Sequence, residues 1–494
     1  MEIDESHLNP SKLLLLSTSF VKKSPTIVKK ILSFLFLSLL CLSTFASLST
    51  DIQSLTKKYK ITNASIGIAV QRTKSGQSLY QYHANKEFTP ASNNKLFTAT
   101  AALLTLPSNF TFNTSVYANP LKINNHTIND NLYIKFTGDP SLTSSQLSNL
   151  IQKLKRTGIS KVNGNIILIA NRFSGQPYPQ GWSNADTDYC YAAPASSMNL
   201  NKNCMVISVN STGNGKSTVK RLINTQSIQI VNALKLVSNK EARSCAFKPY
   251  MTDRNVLHLT GCIPNQAETR MSFAIINPAL KTLNMVKDAL QEKSIKLSGT
   301  VKIGNLPSGL SVIADTSSAS LNYLLKHMLL HSDNLYAESL ARSVGYKING
   351  VGSTDSATSA ISATLRKDLG LNTGPLVLKD GSGLSHLDKT SPEFLVNLLT
   401  KAYNDKQVGQ KLYNALPRSG ISGTLSYRMN KTLQGKVRAK TGTLDGTVTL
   451  SGYVMTKKIH RLSFSIMINN LNKSQRNSAR AFQNQVVKLF YEKL

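Results

Sequence analysis

Residues 89–104 read TPASNNKLFTATAALL and place a serine, Ser92, three positions ahead of a lysine, Lys95, at the start of a helix-like run. Two readings compete. The first turn of an α-helix leaves backbone N–H groups without partners, and a serine side chain there can accept from one of them. Residues three apart also share a helix face, so the Lys95 amine can reach the Ser92 hydroxyl and remove its proton. Ser-x-x-Lys is common by chance, and the stretch decides nothing until the rest of the chain is read.

Upstream, ASIGIAVQ (64–71) alternates as a strand does, and SLYQY (78–82) follows as a second strand after the turn-rich RTKSGQ. The helix carrying Lys95 is stopped by Pro107. From about 115 to 310 short strands and loops dominate, as in NLYIKFTGDP, NGNIILIA and NVLHLTGC, and predict a β-rich insertion. Helical periodicity returns at Leu321, Leu324, Leu325, Met328 and Leu329 and runs into HSDNLYAESLARSVG. TSPEFLVNLLTKAY (390–403) carries a capping Thr or Ser, Pro392 in the first turn and Glu393 behind it. The chain closes with a strand, VRAKTGTL, a tight Asp445–Gly446 turn, two further strands, TVTLSGYVM and RLSFSIMIN, and an amphipathic terminal helix. There is no internal repeat.

At 494 residues and 41% hydrophobic content, the chain has the size and composition of a two- or three-domain globular protein. Its start has the layout of a secretory signal peptide: Lys22, Lys23, Lys29 and Lys30 precede an apolar run from Ile31 to about Leu42, with Thr44 and Ala46 offering cleavage after Ala46. Cys41 follows Leu40 rather than a small residue, which argues against a lipoprotein. Removing residues 1–46 takes away five lysines and three acids and lowers the net charge from +33 to +31. For an exported chain so basic a field favours wall polymers, lipopolysaccharide or anionic lipid surfaces over nucleic acid, although lysine abundance along the whole chain accounts for the charge equally well. Four cysteines remain, Cys190, Cys204, Cys245 and Cys262, an even number that reads as disulfides in an exported chain. With no CxxC pair and no HExxH, a zinc peptidase loses its usual sequence support.

Two further motifs meet the first. Ser332–Asp333–Asn334 lies between two predicted helices, and Lys440–Thr441–Gly442 lies on a strand leading into a hairpin. Each alone is weak, since the one can be a plain cap and the other a plain strand. Ser-x-x-Lys, Ser-x-Asn and Lys-Thr-Gly in that order, each on the expected element, are together a strong signal.

On these motifs the chain resembles the penicillin-binding serine DD-peptidases, and more narrowly their class C low-molecular-mass group, the D-Ala-D-Ala carboxypeptidase/endopeptidase family. The spacing carries the narrower choice: 240 residues separate Ser92 from Ser332, room for inserted domains that a compact class A β-lactamase lacks. GDPSLT, SDNLYAESLAR, DGSGLS, SGTLSYR and VRAKTGTLDG extend the resemblance over almost everything after residue 60. It implies an α/β multi-domain architecture, an antiparallel sheet flanked by helices and interrupted by the insertion. The expected divisions are a catalytic domain from 47–115 and 309–494, one inserted domain from 116–139 and 226–308, and a second from 140–225.

The resemblance implies roles as well. Ser92 attacks the carbonyl between two D-alanines; Lys95, kept neutral by burial and nearby positive charge, takes its proton. Backbone N–H groups of Ser92 and Thr443 form the oxyanion site, Ser332 and Lys440 relay a proton to the leaving amine, Asn334 holds the substrate amide, and Thr441, Gly442 and Thr443 line the carboxylate end. Asp186 and Tyr191 match an acidic and an aromatic position that in relatives recognise the diaminopimelate side chain; the plainer reading is that they pack a loop held by Cys190. No cofactor is needed, stem peptides of peptidoglycan are the implied substrates, β-lactams are the implied covalent inhibitors, and the implied disulfides are Cys190–Cys204 and Cys245–Cys262. Two positions depart from the family: His386 stands where relatives carry arginine, and Asp445 where they carry a neutral polar residue, which weakens the expected grip on a side-chain carboxylate. A β-lactamase of the same fold needs a placed glutamate that the sequence does not reveal, and an idle wall-binding protein is hard to square with five intact motif residues.

Overall fold

The computed structural model describes residues 48–211, 216–223, 228–265 and 268–494; the expected signal peptide lies outside them. A five-stranded antiparallel sheet runs in the order Ser78–Tyr82, Ser65–Arg72, Arg461–Asn469, Thr447–Met455, Val437–Leu444. First and last parts of the chain are therefore woven into one sheet. Thr447–Met455 and Arg461–Asn469 are buried along almost their whole length because both faces are covered, and the small polar residues that alternate along them, Thr449, Ser451, Ser463 and Ser465, are buried as well. One face packs against the terminal helix Arg476–Lys493 through Phe482, Val486, Val487 and Phe490. The other packs against an all-helical layer that includes Lys95–Thr105, Leu321–His331, Asn334–Asn349 and Pro392–Asn404.

The insertion is less β-rich than its sequence suggests. Helix Ser144–Arg156 opens on a Thr143/Gln146 capping box and buries Leu147, Leu150, Ile151 and Leu154, while Pro278–Glu292 is capped by Asn277. The first of these has a topological reason: strands Leu132–Phe136 and Ile166–Ile169 are parallel, and a parallel pair needs a crossover connection, here this helix. Strand pairing also cuts across the expected 140–225 and 226–308 segments. Ile166–Ile169 joins a sheet with Leu132–Phe136, Asn113–Ala118, Val301–Ile303 and Ser311–Ser317, whereas Cys204–Ser211 pairs with both Ser217–Ile223 and Glu268–Ala274. The reason is long-range: neither edge of a strand reveals in sequence which distant partner it meets. Cys190–Cys204 and Cys245–Cys262 are both formed. Among the described residues no helix is long and apolar enough to cross a membrane.

Candidate active site

Ser92 does not cap a helix. It sits in a 3₁₀ turn, Ala91–Asn94, and the α-helix begins only at Lys95, with no side-chain cap at either start. Ala91 has φ 49°, a left-handed conformation costly for a residue with a Cβ, and strain of that kind persists only where the surroundings enforce it. The enforcement is visible. Asn93 Nδ2 donates to Ser451 Oγ at 2.8 Å, Thr449 Oγ1 to the Pro90 carbonyl at 2.8 Å, and Asn94 Nδ2 to the Asp380 carbonyl at 2.9 Å. Gly442 completes the clamp: a Cβ there would lie 2.1 Å from Thr449 Oγ1 and 2.8 Å from the Pro90 carbonyl, so only glycine lets strand Val437–Leu444 press against the serine's turn.

Lys95 is fully buried, and its Nζ lies 3.1 Å from Ser92 Oγ, 2.6 Å from Asn334 Oδ1 and 2.6 Å from the Ser382 carbonyl. Two of those three partners can only accept. A neutral amine has two N–H groups and one lone pair, so satisfying both acceptors points the lone pair at the Ser92 hydroxyl. Burial pushes the Lys95 pKa down to about 8, against the opposing pull of Asp380, Glu338, Asp333 and Asp388. Near neutrality the base is thus about a tenth in its working form. If Lys95 is the base, kcat/KM for acylation should climb with pH through an apparent pKa near 8, because raising pH removes the proton that blocks the lone pair. Stopped-flow acylation by a β-lactam from pH 6 to 9.5 checks this, and a flat profile contradicts it.

The acids around Lys95 lay inside motif-like stretches but were not singled out in the sequence. Asp380 of DGSGLS accepts from the backbone N–H groups of Ser382, Gly383, Leu384 and Ser385 and from Trp182 Nε1, so it builds the loop whose Ser382 carbonyl holds Lys95. Glu338 of SDNLYAESL accepts from the Gly381 N–H; burial, with Asp380 adding to it, lifts its pKa to about 7.

Ser-Asp-Asn divides its labour. Ser332 takes a left-handed conformation, φ 56°, at the end of one helix, and Asp333 caps the next by accepting from the Tyr336 N–H. Burial disfavours the Asp333 carboxylate, but His327 and Lys202 hold its pKa down at about 2. The cap frees its neighbours to face the site. Ser332 Oγ accepts from Lys440 Nζ at 2.9 Å, and Asn334 spans Lys95 and the Tyr191 carbonyl, to which its Nδ2 donates at 2.7 Å. Lys440 is also fully buried; burial and then the Lys95 charge drive its pKa well below that of an ordinary lysine. Its contact with Ser332 Oγ suits it to passing a proton along that pair.

A cavity of about 490 Å³ opens at Ser92 and is lined by Ser332, Asn334, Thr443, His386, Asp445, Asp186 and Tyr191. The insertion thus supplies part of the wall. Tyr191 Oη donates to Asp186 Oδ1 at 2.5 Å, and the Cys190–Cys204 bridge ties Tyr191's short turn to strand Cys204–Ser211. Asp445 does not stand alone there, because Arg476 donates to its Oδ1 at 3.3 Å. On the far side of Ser92, Thr441 Oγ1 donates to Thr424 Oγ1 at 2.8 Å, and Thr443 Oγ1 accepts from Arg480 at 3.3 Å. Val437–Leu444 is an edge strand whose outer side bonds to Pro417 and Ser419 at Val437 and Ala439, while Thr441 and Thr443 further along it line a second cavity beside Ser92. Arg428, Arg476 and Arg480 were not singled out in the sequence, where the terminal segment read only as an amphipathic helix.

The chain that builds this arrangement of a buried lysine on a strained serine, with a second serine–lysine pair and an edge strand opposite, is similar to known proteins over most of its length. The D-Ala-D-Ala carboxypeptidase 3 (S13) family model fits residues 48–492. The chain belongs to that family. It is 30% identical over 456 residues to D-alanyl-D-alanine carboxypeptidase DacB of Haemophilus influenzae, spanning 91% of this chain and 94% of that one. It is 28% identical over 438 residues to the D-alanyl-D-alanine carboxypeptidase of Actinomadura sp., spanning 85% and 81%. The crystal structure of penicillin binding protein 4 (DacB) from H. influenzae superposes with a TM-score of 0.83 at 29% identity, over 89% of this chain and 99% of that one. That protein has also been solved in complex with a β-lactam. The expected family, its α/β penicillin-binding fold and its peptidase class are thereby established for this chain.

Proposed function

We propose that the protein is an exported serine D-Ala-D-Ala carboxypeptidase, with DD-endopeptidase action on cross-linked stem peptides, working through an acyl-enzyme on Ser92. The observation that carries this reading is the Lys95 amine, buried, lowered toward neutrality and directed at Ser92 Oγ by two acceptors on its other side. In the reaction, Lys95 takes the Ser92 proton as the hydroxyl attacks the carbonyl of the penultimate D-alanine. Charge developing on that oxygen is met by the N–H groups of Ser92 and Thr443, each such donor being worth about 3 kcal/mol in a transition state. Ser332, hydrogen-bonded to Lys440, passes a proton to the leaving amine as the C–N bond breaks. Water then hydrolyses the ester. β-Lactams enter the same path and stall in it. The basic exported surface suits a substrate embedded in anionic wall material, and the leader is cleaved near Ala46.

The test is release of D-alanine from a D-Ala-D-Ala pentapeptide together with labelling by fluorescent penicillin. A long-lived adduct with D-alanine release is the expected pair; rapid penicillin hydrolysis would favour a β-lactamase, and no labelling an idle wall protein.

Specificity for the diaminopimelate side chain is proposed to rest on Asp186, Tyr191, His386 and Asp445, which share the Ser92 cavity with Arg476. Arginine offers a permanent charge and a two-pronged grip that histidine lacks. With Asp186 and Asp445 opposing a substrate carboxylate and Arg476 engaged by Asp445, the preference for a free over an amidated diaminopimelate carboxylate should be small, and His386→Arg should make it large. Matched acid and amide muropeptides check the expectation; a strong preference in the unmodified enzyme that the substitution leaves unaltered defeats it.

A further inference from the structure

The insertion reaches the Ser-Asp-Asn motif from a strained turn. Asn201, Lys202 and Asn203 have φ of 50°, 58° and 48°, three successive left-handed residues with no glycine among them. Asparagine tolerates that conformation through its short polar side chain, and lysine has no such side chain to offer. The surroundings impose it. Asn201 donates its N–H to the Leu142 carbonyl at 2.8 Å, and its Oδ1 accepts from the Ser144 N–H at 2.9 Å. Buried Asn203 donates to the Pro194 carbonyl and to Asn199 Oδ1, both at 2.8 Å, and its carbonyl accepts from the Ile275 N–H at 2.8 Å. Cys204 follows at once and closes the bridge to Cys190.

What the strained turn delivers is one amine. Lys202 Nζ donates to Asp333 Oδ2 at 2.9 Å and lies 5.6 Å from the centre of the Tyr336 ring. His327 Nε2 meets the same carboxylate oxygen at 3.1 Å, while Asp333 Oδ1 accepts from the Tyr336 N–H at 3.3 Å. Asp333 is therefore gripped through both oxygens, and it stands between Ser332 and Asn334. The Lys202 side chain is 47% exposed, and an ion pair so open to water stabilises less than a left-handed lysine costs. Stability does not explain the turn; strain of this kind gathers where a group has to be placed. The same bridge serves a second contact. Cys190 adjoins Tyr191, whose carbonyl accepts from Asn334 Nδ2 at 2.7 Å, and Cys204 comes two residues after Lys202. The insertion thus holds the motif at Asp333 and at Asn334 from the two ends of one disulfide.

We infer that Lys202 is a positioning residue of the acyl-transfer centre: by holding Asp333 it fixes where Ser332 and Asn334 stand against Lys440 and Lys95. This role rests on the peptidase reading above. Ser332 Oγ lies 2.9 Å from Lys440 Nζ and Asn334 Oδ1 2.6 Å from Lys95 Nζ, and a loop that drifts at Asp333 lengthens both. The bond-forming step depends on those two contacts. The non-covalent encounter before it draws on the wider cavity wall, so releasing Lys202 slows the first and spares the second.

The test is stopped-flow acylation by a β-lactam, with the non-covalent dissociation constant separated from the first-order acylation rate. K202M should slow acylation by roughly 5- to 50-fold, below the ~100-fold that misplacing a group by about 1 Å can cost, and leave the dissociation constant within about twofold. K202R keeps the charge and should recover most of the rate. K202G relieves the left-handed strain, so it should melt no lower than K202M and yet acylate as slowly. D333N keeps a capping oxygen but not the charge, and adding K202M to it should slow acylation by less than about twofold further, because the two act through one contact. Should D333N not fold, K202R and K202G decide alone. Unchanged acylation in K202M or K202G, no recovery in K202R, or losses that multiply in the double variant overturn the inference and leave the peptidase reading standing. Absence of acylation in the unmodified enzyme overturns both.

Discussion

Ser92→Ala is expected to take up no labelled penicillin and to lose roughly 10⁵- to 10⁶-fold in kcat toward D-Ala-D-Ala peptides, the scale seen when the nucleophile of a serine hydrolase is removed. It should do so without unfolding. A serine that caps a helix loses about 1 kcal/mol when truncated to alanine, but Ser92 makes no cap and the turn around it is pinned by Asn93, Asn94 and Thr449. Its melting temperature should therefore stay within a degree or two of the unmodified protein, about the resolution of the measurement. Labelling by mass spectrometry and a thermal melt on one preparation separate the possibilities. An adduct that survives at an unchanged rate assigns the nucleophile elsewhere. A melt lowered by several degrees with labelling retained returns Ser92 to a structural role.

Lys95→Met should slow acylation by roughly 10²- to 10⁴-fold, the usual contribution of a positioned general base, while leaving Ser92 intact. Methionine approximates the volume of the side chain, so no large cavity opens among residues that are fully buried. Two stability effects oppose each other. Asn334 Oδ1 and the Ser382 carbonyl lose their donor, but the penalty of burying an amine disappears. The sign of that penalty follows from the shift. With its pKa lowered from 10.5 to about 8, Lys95 binds fewer protons folded than unfolded between those values, so it costs stability in full below pH 8 and the cost fades as pH rises toward 10.5. The methionine variant should lack this component of the pH dependence, and its residual acylation should no longer rise through pH 8. Chemical denaturation from pH 7 to 10 and acylation rates over the same range test both halves. Acylation within threefold of the unmodified enzyme would remove Lys95 from the mechanism.

The family and the catalytic groups were legible in the sequence because they are local. Ser-x-x-Lys, Ser-Asp-Asn and Lys-Thr-Gly each place two or three groups on one turn or one strand, and their order along the chain limits the folds that can bring them together. Local periodicity likewise gave the five strands of the main sheet and the helices at Leu321 and Pro392. The Ser144–Arg156 helix had a legible capping box and apolar stripe, and was hidden only by the short strands on either side of it.

What the sequence could not decide was set by contacts between residues far apart in the chain. Whether Ser92 caps or reacts depended on Asn334, 242 positions away by number, and on the Ser382 carbonyl, since only their positions turn the Lys95 lone pair toward the hydroxyl. Arg428 and Arg480 sit in segments that look solvent-facing on their own, and become a charged wall only when the terminal helix packs beside strand Val437–Leu444. Strand pairing in the insertion was undetermined for the same reason. A strand's sequence records that it is buried but not which edge it joins, and the energy that selects the partner comes from packing that exists only once the chain has closed.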